Sequence, residues 1–210
     1  MNDVVIFGAG GHGRVVADVA VRCGYRPIGF VDDACDELGP FAGGHPILGR
    51  LEDLGPEDVA NLWLVIAIGQ NEARQRVAER ALAQGWRFAT LVHPSAQVGS
   101  RVTVGPGTVV MANVVINTDA RIGAHVIINT AATVDHDCAI DDFVHIGPGS
   151  HLAGHVSVGK ATQIGIGSRV TPGVAIADHV TVGAGATVIR PVGPGLTVVG
   201  TPAKPIPVRV

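Results

Sequence analysis

The chain has 210 residues, which is enough for one large domain or two small ones. Hydrophobic residues make up 47% of it and aromatic residues only 4%, and the 29 glycines are typical of many short strands and tight turns. A formal net charge of -3 provides no basic surface for nucleic acid or an anionic membrane, so we expect neither as a partner.

The three cysteines, Cys23, Cys35 and Cys138, are an odd number and lack CxxC spacing. This pattern argues against a disulfide framework and predicts free thiols in a reducing compartment. The chain also lacks a basic segment leading into an apolar one at its start, and it lacks a run of about 18 apolar residues. We therefore expect a cytoplasmic protein.

The first part of the chain alternates short buried strands with helices. The pattern predicts strands over residues 4–7, 28–31, 62–68 and 86–92, helices over residues 14–23 and 71–84, and loop with short helix over residues 33–55. This order predicts a small Rossmann-like α/β domain with a parallel sheet over residues 1–92.

A glycine-rich loop, GAGGHG over residues 8–13, stands between the first strand and the first helix. Backbone N–H groups at the start of a helix attract phosphate, and glycines let the backbone approach it closely. Asp32 follows the second strand, nineteen residues past Gly13. The domain is too short for both halves of a dinucleotide fold, so we expect one nucleotide; a loop that only packs helix on strand is the alternative.

From Val98 to Val188 an aliphatic residue returns at every sixth position, sixteen times without interruption. Neither an α-helix nor a plain strand has this period, and it predicts a parallel β-helix over residues 93–210. The residue directly after the aliphatic is Gly, Asn or Asp in eleven of the sixteen hexads. Because these types tolerate left-handed backbone, we expect the corner conformation at that position.

The hexads and the ending Val199-Gly-Thr-Pro-Ala-Lys204 resemble those of the hexapeptide-repeat acyltransferases. End to end, the chain is similar to bacterial sugar acyltransferases of the NeuD and PglD type. The resemblance implies a left-handed β-helix with three hexads per coil and acetyl-CoA as co-substrate. It also implies a homotrimer with active sites between subunits, and a role in surface polysaccharide biosynthesis.

In that family the N-terminal domain holds the nucleotide of the sugar substrate. The resemblance carries these contacts onto Gly8, Gly10, Gly11, His12, Gly13, Asp32, Asp33 and Gly69. The paired acids would accept hydrogen bonds from a base, which suits uracil and guanine equally, so UDP and GDP both stay open. His12 has an alternative role as a polar residue at the start of the helix.

The segment Thr133-Val-Asp-His-Asp-Cys138 resembles the family's histidine-acid dipeptide. This implies His136 as general base and Asp137 as its carboxylate partner, because a neutral histidine accepts protons well near pH 7 and a carboxylate orients its ring. Adjacent side chains on a straight strand point apart, so the pair must lie at a corner. His155 lies one coil, eighteen residues, beyond Asp137, and a His155–Asp137 ladder is the structural alternative.

The resemblance implies acetyl-CoA contacts at His145, Gly154, Ile166 and Ala184, the last of which replaces a frequent glycine. Cys138 occupies the small buried position of its hexad, which favours packing over nucleophilic catalysis. We expect no metal cofactor, since the carbonic anhydrases built on this coil have paired histidines five apart, whereas His151 and His155 are four apart.

The favoured function is N-acetylation of a nucleotide-linked 4-amino-4,6-dideoxy sugar, of which GDP-perosamine is an example. The amine would attack acetyl-CoA directly. Two alternatives remain open from the sequence: O-acetylation of a sugar of the sialic acid type, and a non-catalytic trimeric scaffold with a nucleotide-sensing domain. The sugar, its stereochemistry and its base are left undetermined.

Overall fold

The computed structural model describes residues 2–206, so the outer ends of the two predicted domains, Met1 and residues 207–210, lie outside it. The chain divides into two compact units between Pro94 and Ser95. The first unit alternates strands with helices, whereas the described part of the second consists of strands of two or three residues joined by turns.

The first unit contains a four-stranded parallel sheet in the order β2-β1-β5-β6. In chain order, the strands within residues 1–94 are β1 (Asn2–Phe7), β2 (Tyr25–Val31), β3 (Phe41–Ala42), β4 (His45–Pro46), β5 (Trp63–Ile66), β6 (Arg87–Phe88) and β7 (Leu91–Val92). Of these, only β1, β2, β5 and β6 belong to the four-stranded sheet. Its helices are α1 (Gly11–Arg22), α2 (Pro56–Asn61) and α3 (Asn71–Ala83), with 3-10 turns at Cys35–Glu37 and Leu51–Asp53. The predicted parallel α/β domain is confirmed, and α1 begins three residues before the predicted helix.

The central strand β1 is apolar on both faces because the sheet is covered on both sides. Val4, Val5 and Ile6 are fully buried, as expected for a parallel strand with helices over it. Helix α1 contributes a buried stripe that includes Val16 and Ala20. Among the described helices, none has the length and apolar character needed to cross a bilayer.

The second unit is a coil whose strands stack eighteen residues apart, as in the pairing of Val110 with Ile128. The strands form three sheets, which contain residues 97–98, 103–104 and 109–110 respectively. Neighbouring strands in these sheets are parallel except for the pair Thr197–Val199 and Lys204–Ile206, which is antiparallel. This architecture is the predicted left-handed parallel β-helix. The strands are β8 (Gln97–Val98), β9 (Thr103–Val104), β10 (Val109–Val110), β11 (Val115–Ile116), β12 (Arg121–Ile122), β13 (Ile127–Ile128), β14 (Thr133–Val134), β15 (Ala139–Ile140), β16 (His145–Ile146), β17 (His151–Leu152), β18 (Ser157–Val158), β19 (Gln163–Ile164), β20 (Arg169–Val170), β21 (Ala175–Ile176), β22 (Thr181–Val182), β23 (Thr187–Val188), β24 (Thr197–Val199) and β25 (Lys204–Ile206).

The corners of the coil correct one expectation. Positive φ recurs at the third residue after the aliphatic one, as at Asp119, Asp137 and His155, and not at the residue directly after it. The glycines directly after the aliphatics have a different cause: a Cβ on Gly147 would stand 2.7 Å from the carbonyl oxygen of Ile164 in the next coil. The prediction of left-handed backbone at that position was therefore wrong, because close approach between coils selects those glycines.

The small buried position of each hexad carries a ladder of side-chain hydrogen bonds. The hydroxyls of Ser150 and Thr162 donate to carbonyl oxygens fifteen residues further on, each at 2.7 Å. The thiol of Cys138 makes the equivalent bond to the carbonyl of Ala153 at 3.2 Å. Such bonds satisfy polar groups inside the coil, each contributing on the order of 1 kcal/mol net.

Candidate active site

His136 and Asp137 occupy the corner that follows strand β14. Asp137 has φ 58°, and this turn of the backbone brings its carboxylate back onto the preceding side chain. As a result His136 Nδ1 and Asp137 Oδ2 are 2.8 Å apart. The two adjacent side chains therefore meet at a corner, as their pairing requires.

The bond between the two side chains determines which nitrogen of His136 carries the proton. An ionised carboxylate can only accept, so Nδ1 donates and Nε2 is left with its lone pair in the neutral ring. The hydrogen bond that His136 donates to Asp137 raises the pKa of His136 above its ordinary value, and the negative charge of Asp135 adds to this effect. The result is an exposed imidazole with one nitrogen able to accept a proton.

Asp135 holds the backbone of this corner in place. Its Oδ1 atom accepts the backbone N–H of His136 at 2.8 Å and the side-chain amide of Asn117 at 2.7 Å. These hydrogen bonds lower the pKa of Asp135, with the bond from Asn117 as the largest cause. Asn117 was not among the predicted site residues, although its place one coil before Asp135 follows from the eighteen-residue stacking.

Gly154 lies one coil beyond His136 and provides room for its ring. A Cβ on Gly154 would stand 2.5 Å from His136 Nε2 and 2.6 Å from Cε1, well inside van der Waals contact. Gly154 is buried. The structure therefore places this predicted acetyl-CoA contact directly beside Nε2, the nitrogen of His136 that carries the lone pair.

His155 is the second histidine near the carboxylate of Asp137. Its Nε2 atom is 3.7 Å from Asp137 Oδ2, beyond hydrogen-bond distance, and its ring meets that of His136 edge to face with centroids 5.1 Å apart. Asp119, which lies one coil before Asp137, accepts hydrogen bonds from Arg101 on both of its oxygens at 2.7 Å each. The sequence left open whether Asp137 pairs with His136 or with His155. In the structure the hydrogen bond of Asp137 is with His136.

The remaining predicted acetyl-CoA contacts lie on a different part of the coil. His145 belongs to strand β16, where its Nε2 is 3.1 Å from the side-chain amide of Asn129. Ile166 and Ala184 follow strands β19 and β22 of the same sheet, stacked one coil apart, and both are exposed. One chain thus distributes the predicted catalytic and acetyl-CoA residues over two separate corners.

Cys138 is buried and does not reach the surface of this corner. Burial raises the pKa of its thiol, which donates a hydrogen bond to the carbonyl of Ala153. A neutral, buried thiol is a poor nucleophile. These facts agree with the packing role predicted for it.

The glycine loop of the first unit contains two kinds of glycine. Gly8 has φ 105°, and a Cβ on Gly13 would overlap the carbonyl oxygen of Gly8, so the fold itself requires both. A Cβ on Gly10 would meet nothing within 4 Å, and one on Gly11 would only touch the Arg14 side chain at 4.0 Å. Gly10 and Gly11 therefore leave open space above the start of α1.

The two acids after strand β2 are already engaged. Both carboxylate oxygens of Asp32 accept backbone N–H groups, one from Ala9 and one from Ala34, each at 2.9 Å. Asp33 is exposed and pairs with Arg80 at 2.7 Å. Asp32 thus ties the glycine loop to the end of β2, and Asp33 presents its carboxylate to solvent.

Arg74 is a buried cation in the same unit and was not among the predicted site residues. It is 1% exposed and donates to the carbonyl of Ile68 and to the side chain of Asn71, each at 2.8 Å. Burial lowers its pKa to about 9, so it remains charged at neutral pH. Burial, assisted by the charge of Arg74, lowers the pKa of His12. Gly69 also lies here, its carbonyl 3.3 Å from Arg74.

The structure combines a half-size α/β unit that contains a glycine loop with a parallel β-helix that carries a histidine-acid pair at one corner. This is the combination expected for an acyltransferase of the hexapeptide-repeat class. The PglD N-terminal domain family matches residues 3–81. GDP-perosamine N-acetyltransferase of Escherichia coli is 32% identical over an alignment of 216 positions, which covers 97% of this chain and 96% of that protein.

Two solved structures are similar to this structure over nearly the whole chain. PerB from Caulobacter crescentus, in complex with CoA and GDP-perosamine, is 40% identical with a TM-score of 0.92, covering 99% of this chain and 98% of that one. The acetyltransferase domain of PglB from Neisseria gonorrhoeae is 39% identical with a TM-score of 0.91, covering 98% and 100%. The chain belongs to the PglD-type family of bacterial sugar N-acetyltransferases, and it is an enzyme rather than a non-catalytic scaffold.

Proposed function

We propose that this protein transfers the acetyl group of acetyl-CoA to the amino group of a 4-amino-4,6-dideoxy sugar linked to UDP or GDP. The complex of the Caulobacter relative with CoA and GDP-perosamine supports both the donor and the class of acceptor. Both substrates are metabolites of the cytoplasm, which is where we place the reaction. Its product would serve surface polysaccharide biosynthesis.

The observation that carries the mechanism is the hydrogen bond between His136 Nδ1 and Asp137 Oδ2 at 2.8 Å. Nδ1 of His136 carries the ring proton and donates it in a hydrogen bond to Asp137, so Nε2 has a lone pair. Nε2 can therefore take a proton from the sugar amine as that amine attacks the thioester carbonyl. The tetrahedral intermediate then collapses with loss of the CoA thiolate, which takes up the proton from Nε2 of His136 and so returns the base to its neutral form. No acyl-enzyme forms, in agreement with the buried thiol of Cys138.

We further propose that the enzyme is a homotrimer with its active sites between subunits. The support is the separation within one chain: His136, Asp137 and Gly154 lie at the corner after β14 and β17, whereas Ile166 and Ala184 lie at another. We call the corner that carries His136 and Asp137 the catalytic corner. In the trimer, a neighbouring copy would place its sheet of β16, β19 and β22 against this corner. The residues His145, Ile166 and Ala184 of that copy would then contact the acetyl-CoA beside His136.

In the first unit we assign the diphosphate to the N–H groups of Gly10, Gly11 and His12 at the start of α1. The buried charge of Arg74 adds a fixed positive field to the dipole of this helix. We assign the base to Asp33, because this acid is exposed and a carboxylate whose oxygens each accept one hydrogen bond from Arg80 keeps further lone pairs. Asp32 holds the loop through its bonds to backbone N–H groups. Gly69 borders the same end of the sheet.

The test is release of CoA from acetyl-CoA with a panel of UDP- and GDP-linked 4-amino sugars and their hydroxyl analogues. We expect turnover with an amine and little with the matching hydroxyl compound. The His136→Ala variant should lose on the order of 10²- to 10⁴-fold in kcat, the usual contribution of a general base. Turnover of the variant at the wild-type rate would exclude His136 as the base, and preference for the hydroxyl compounds would favour O-acetylation.

A further inference from the structure

The catalytic corner brings together three side chains that can bind a metal ion. Among the residues that the structure describes, ligand atoms of His136, Asp137 and His155 all lie within 4.8 Å of one another. Asp137 Oδ2 is 2.8 Å from His136 Nδ1 and 3.7 Å from His155 Nε2. A tetrahedral zinc ion holds its ligand atoms about 3.3 Å apart, so the two observed separations lie on either side of the required value.

The chemistry and charge of this cluster favour a transition-metal dication. Two imidazole nitrogens and one carboxylate oxygen suit Zn²⁺, Co²⁺, Ni²⁺ and Cu²⁺ far better than Mg²⁺ or Ca²⁺. All three side chains are exposed, so their rotamers can adjust to an ion. The nearby cation Arg101 is already bound to both oxygens of Asp119, and Asp135 adds a second negative charge beside Asp137.

We propose that His136, Asp137 and His155 form an inhibitory zinc site at the catalytic corner. The inhibitory effect rests on the proposed function, whereas the binding does not. A metal ion on Nδ1 uses the lone pair of that nitrogen, so the ring proton must lie on Nε2. Nε2 then donates instead of accepting, and it cannot take the proton of the sugar amine. The proton moves from Nδ1 to Nε2 and no bond between heavier atoms of the protein is broken, so removal of the metal lets the proton return to Nδ1 and restores the base.

His155 allows the metal site to be removed while the base is kept. It comes from the next coil, has no part in the proposed proton transfer, and stands 3.7 Å from Asp137. Its φ is 59°, a conformation that asparagine tolerates well, so His155→Asn should preserve the backbone. His179 is a matched control, because it is exposed, lies at a corner with φ 55° and is outside the cluster.

The experiment uses the untagged full chain after treatment with a chelator. Zinc is titrated in competition with a chromogenic chelator, without any substrate present. We expect one zinc ion per chain in the wild type and in His179→Asn, and affinity at least about tenfold weaker in His155→Asn. Absence of stoichiometric zinc in the wild type, or equal affinity in His155→Asn, would overturn the proposal.

Acetyl transfer is then measured with and without zinc. We expect zinc to inhibit the wild type and His179→Asn, with recovery on adding EDTA. The His155→Asn variant should retain the metal-free rate and resist zinc at concentrations that inhibit the wild type. Zinc that binds at this cluster without slowing transfer would contradict inhibition. If no acceptor supports transfer at all, the proposed function fails, and the titration still decides whether the metal site exists.

Discussion

Replacing Gly154 by alanine tests whether the space beside His136 controls catalysis. The added Cβ would stand 2.5 Å from His136 Nε2, whereas ordinary van der Waals contact begins at 3.4 Å, so the ring must retreat by about 0.9 Å. A displacement of about 1 Å at the reacting group costs on the order of 10²-fold in rate. We therefore expect kcat for acetyl transfer to fall by that order in Gly154→Ala.

The coil itself should tolerate this change. Alanine already occupies the equivalent corner position, two residues after the aliphatic one, at Ala112, Ala124 and Ala184. Thermal unfolding of Gly154→Ala should therefore match that of the wild type, which separates a local effect on the ring from a loss of fold.

The assay is a double-mutant cycle with His136→Ala, measuring kcat and the KM for acetyl-CoA. Once the imidazole is absent, the added methyl group has nothing to displace, so Gly154→Ala should cost little in that background. Wild-type kcat in the single variant would refute the steric reasoning. An equal loss in both backgrounds would show that Gly154 acts on acetyl-CoA and not through His136.

Three further predictions concern Asp137, Cys138 and the glycine loop. The proposed mechanism needs neutral His136, and Asp137 raises the pKa of this histidine, so Asp137→Asn should move the acid limb of the pH–rate profile to lower pH. An unmoved limb would contradict the pairing. Cys138→Ser should retain wild-type kcat, because serine makes the same buried bond elsewhere in the coil, and loss of transfer in a folded variant would restore a nucleophilic role. Gly13→Ala should strongly destabilise the first unit, which thermal denaturation measures, because its Cβ would overlap backbone. Gly10→Ala should fold normally and raise the KM for the nucleotide sugar. Equal thermal stability of the two variants would refute the distinction between the two glycines.

The period of the coil could be read from the sequence because each coil repeats the same local geometry. Side chains eighteen residues apart stack directly, so numbering alone places Gly154 beside His136 and His155 beside Asp137. The need for a corner at His136 and Asp137 also followed from strand geometry. The phosphate-binding type of loop was recognisable in the same way, since its strand, glycines and helix are consecutive.

Features that depend on distances between coils or between side chains required the tertiary structure. The glycines that follow the aliphatic residues were assigned the wrong cause, because only the spacing of neighbouring coils shows that a Cβ would meet backbone there. The roles of Asp32 and Arg74 depend on backbone groups far away in the sequence.

The sequence by itself determined the two architectures, because periodicity is a property of the chain. The histidine-acid pair was implied by the resemblance to a family, and the sequence left its partner histidine open. Only the tertiary structure decided that Asp137 Oδ2 lies within hydrogen-bond distance of one histidine and 3.7 Å from another. The physical reason is that histidine rings from two neighbouring coils approach the same carboxylate. A difference of less than about 1 Å in the N···O distance then decides which of them forms a hydrogen bond.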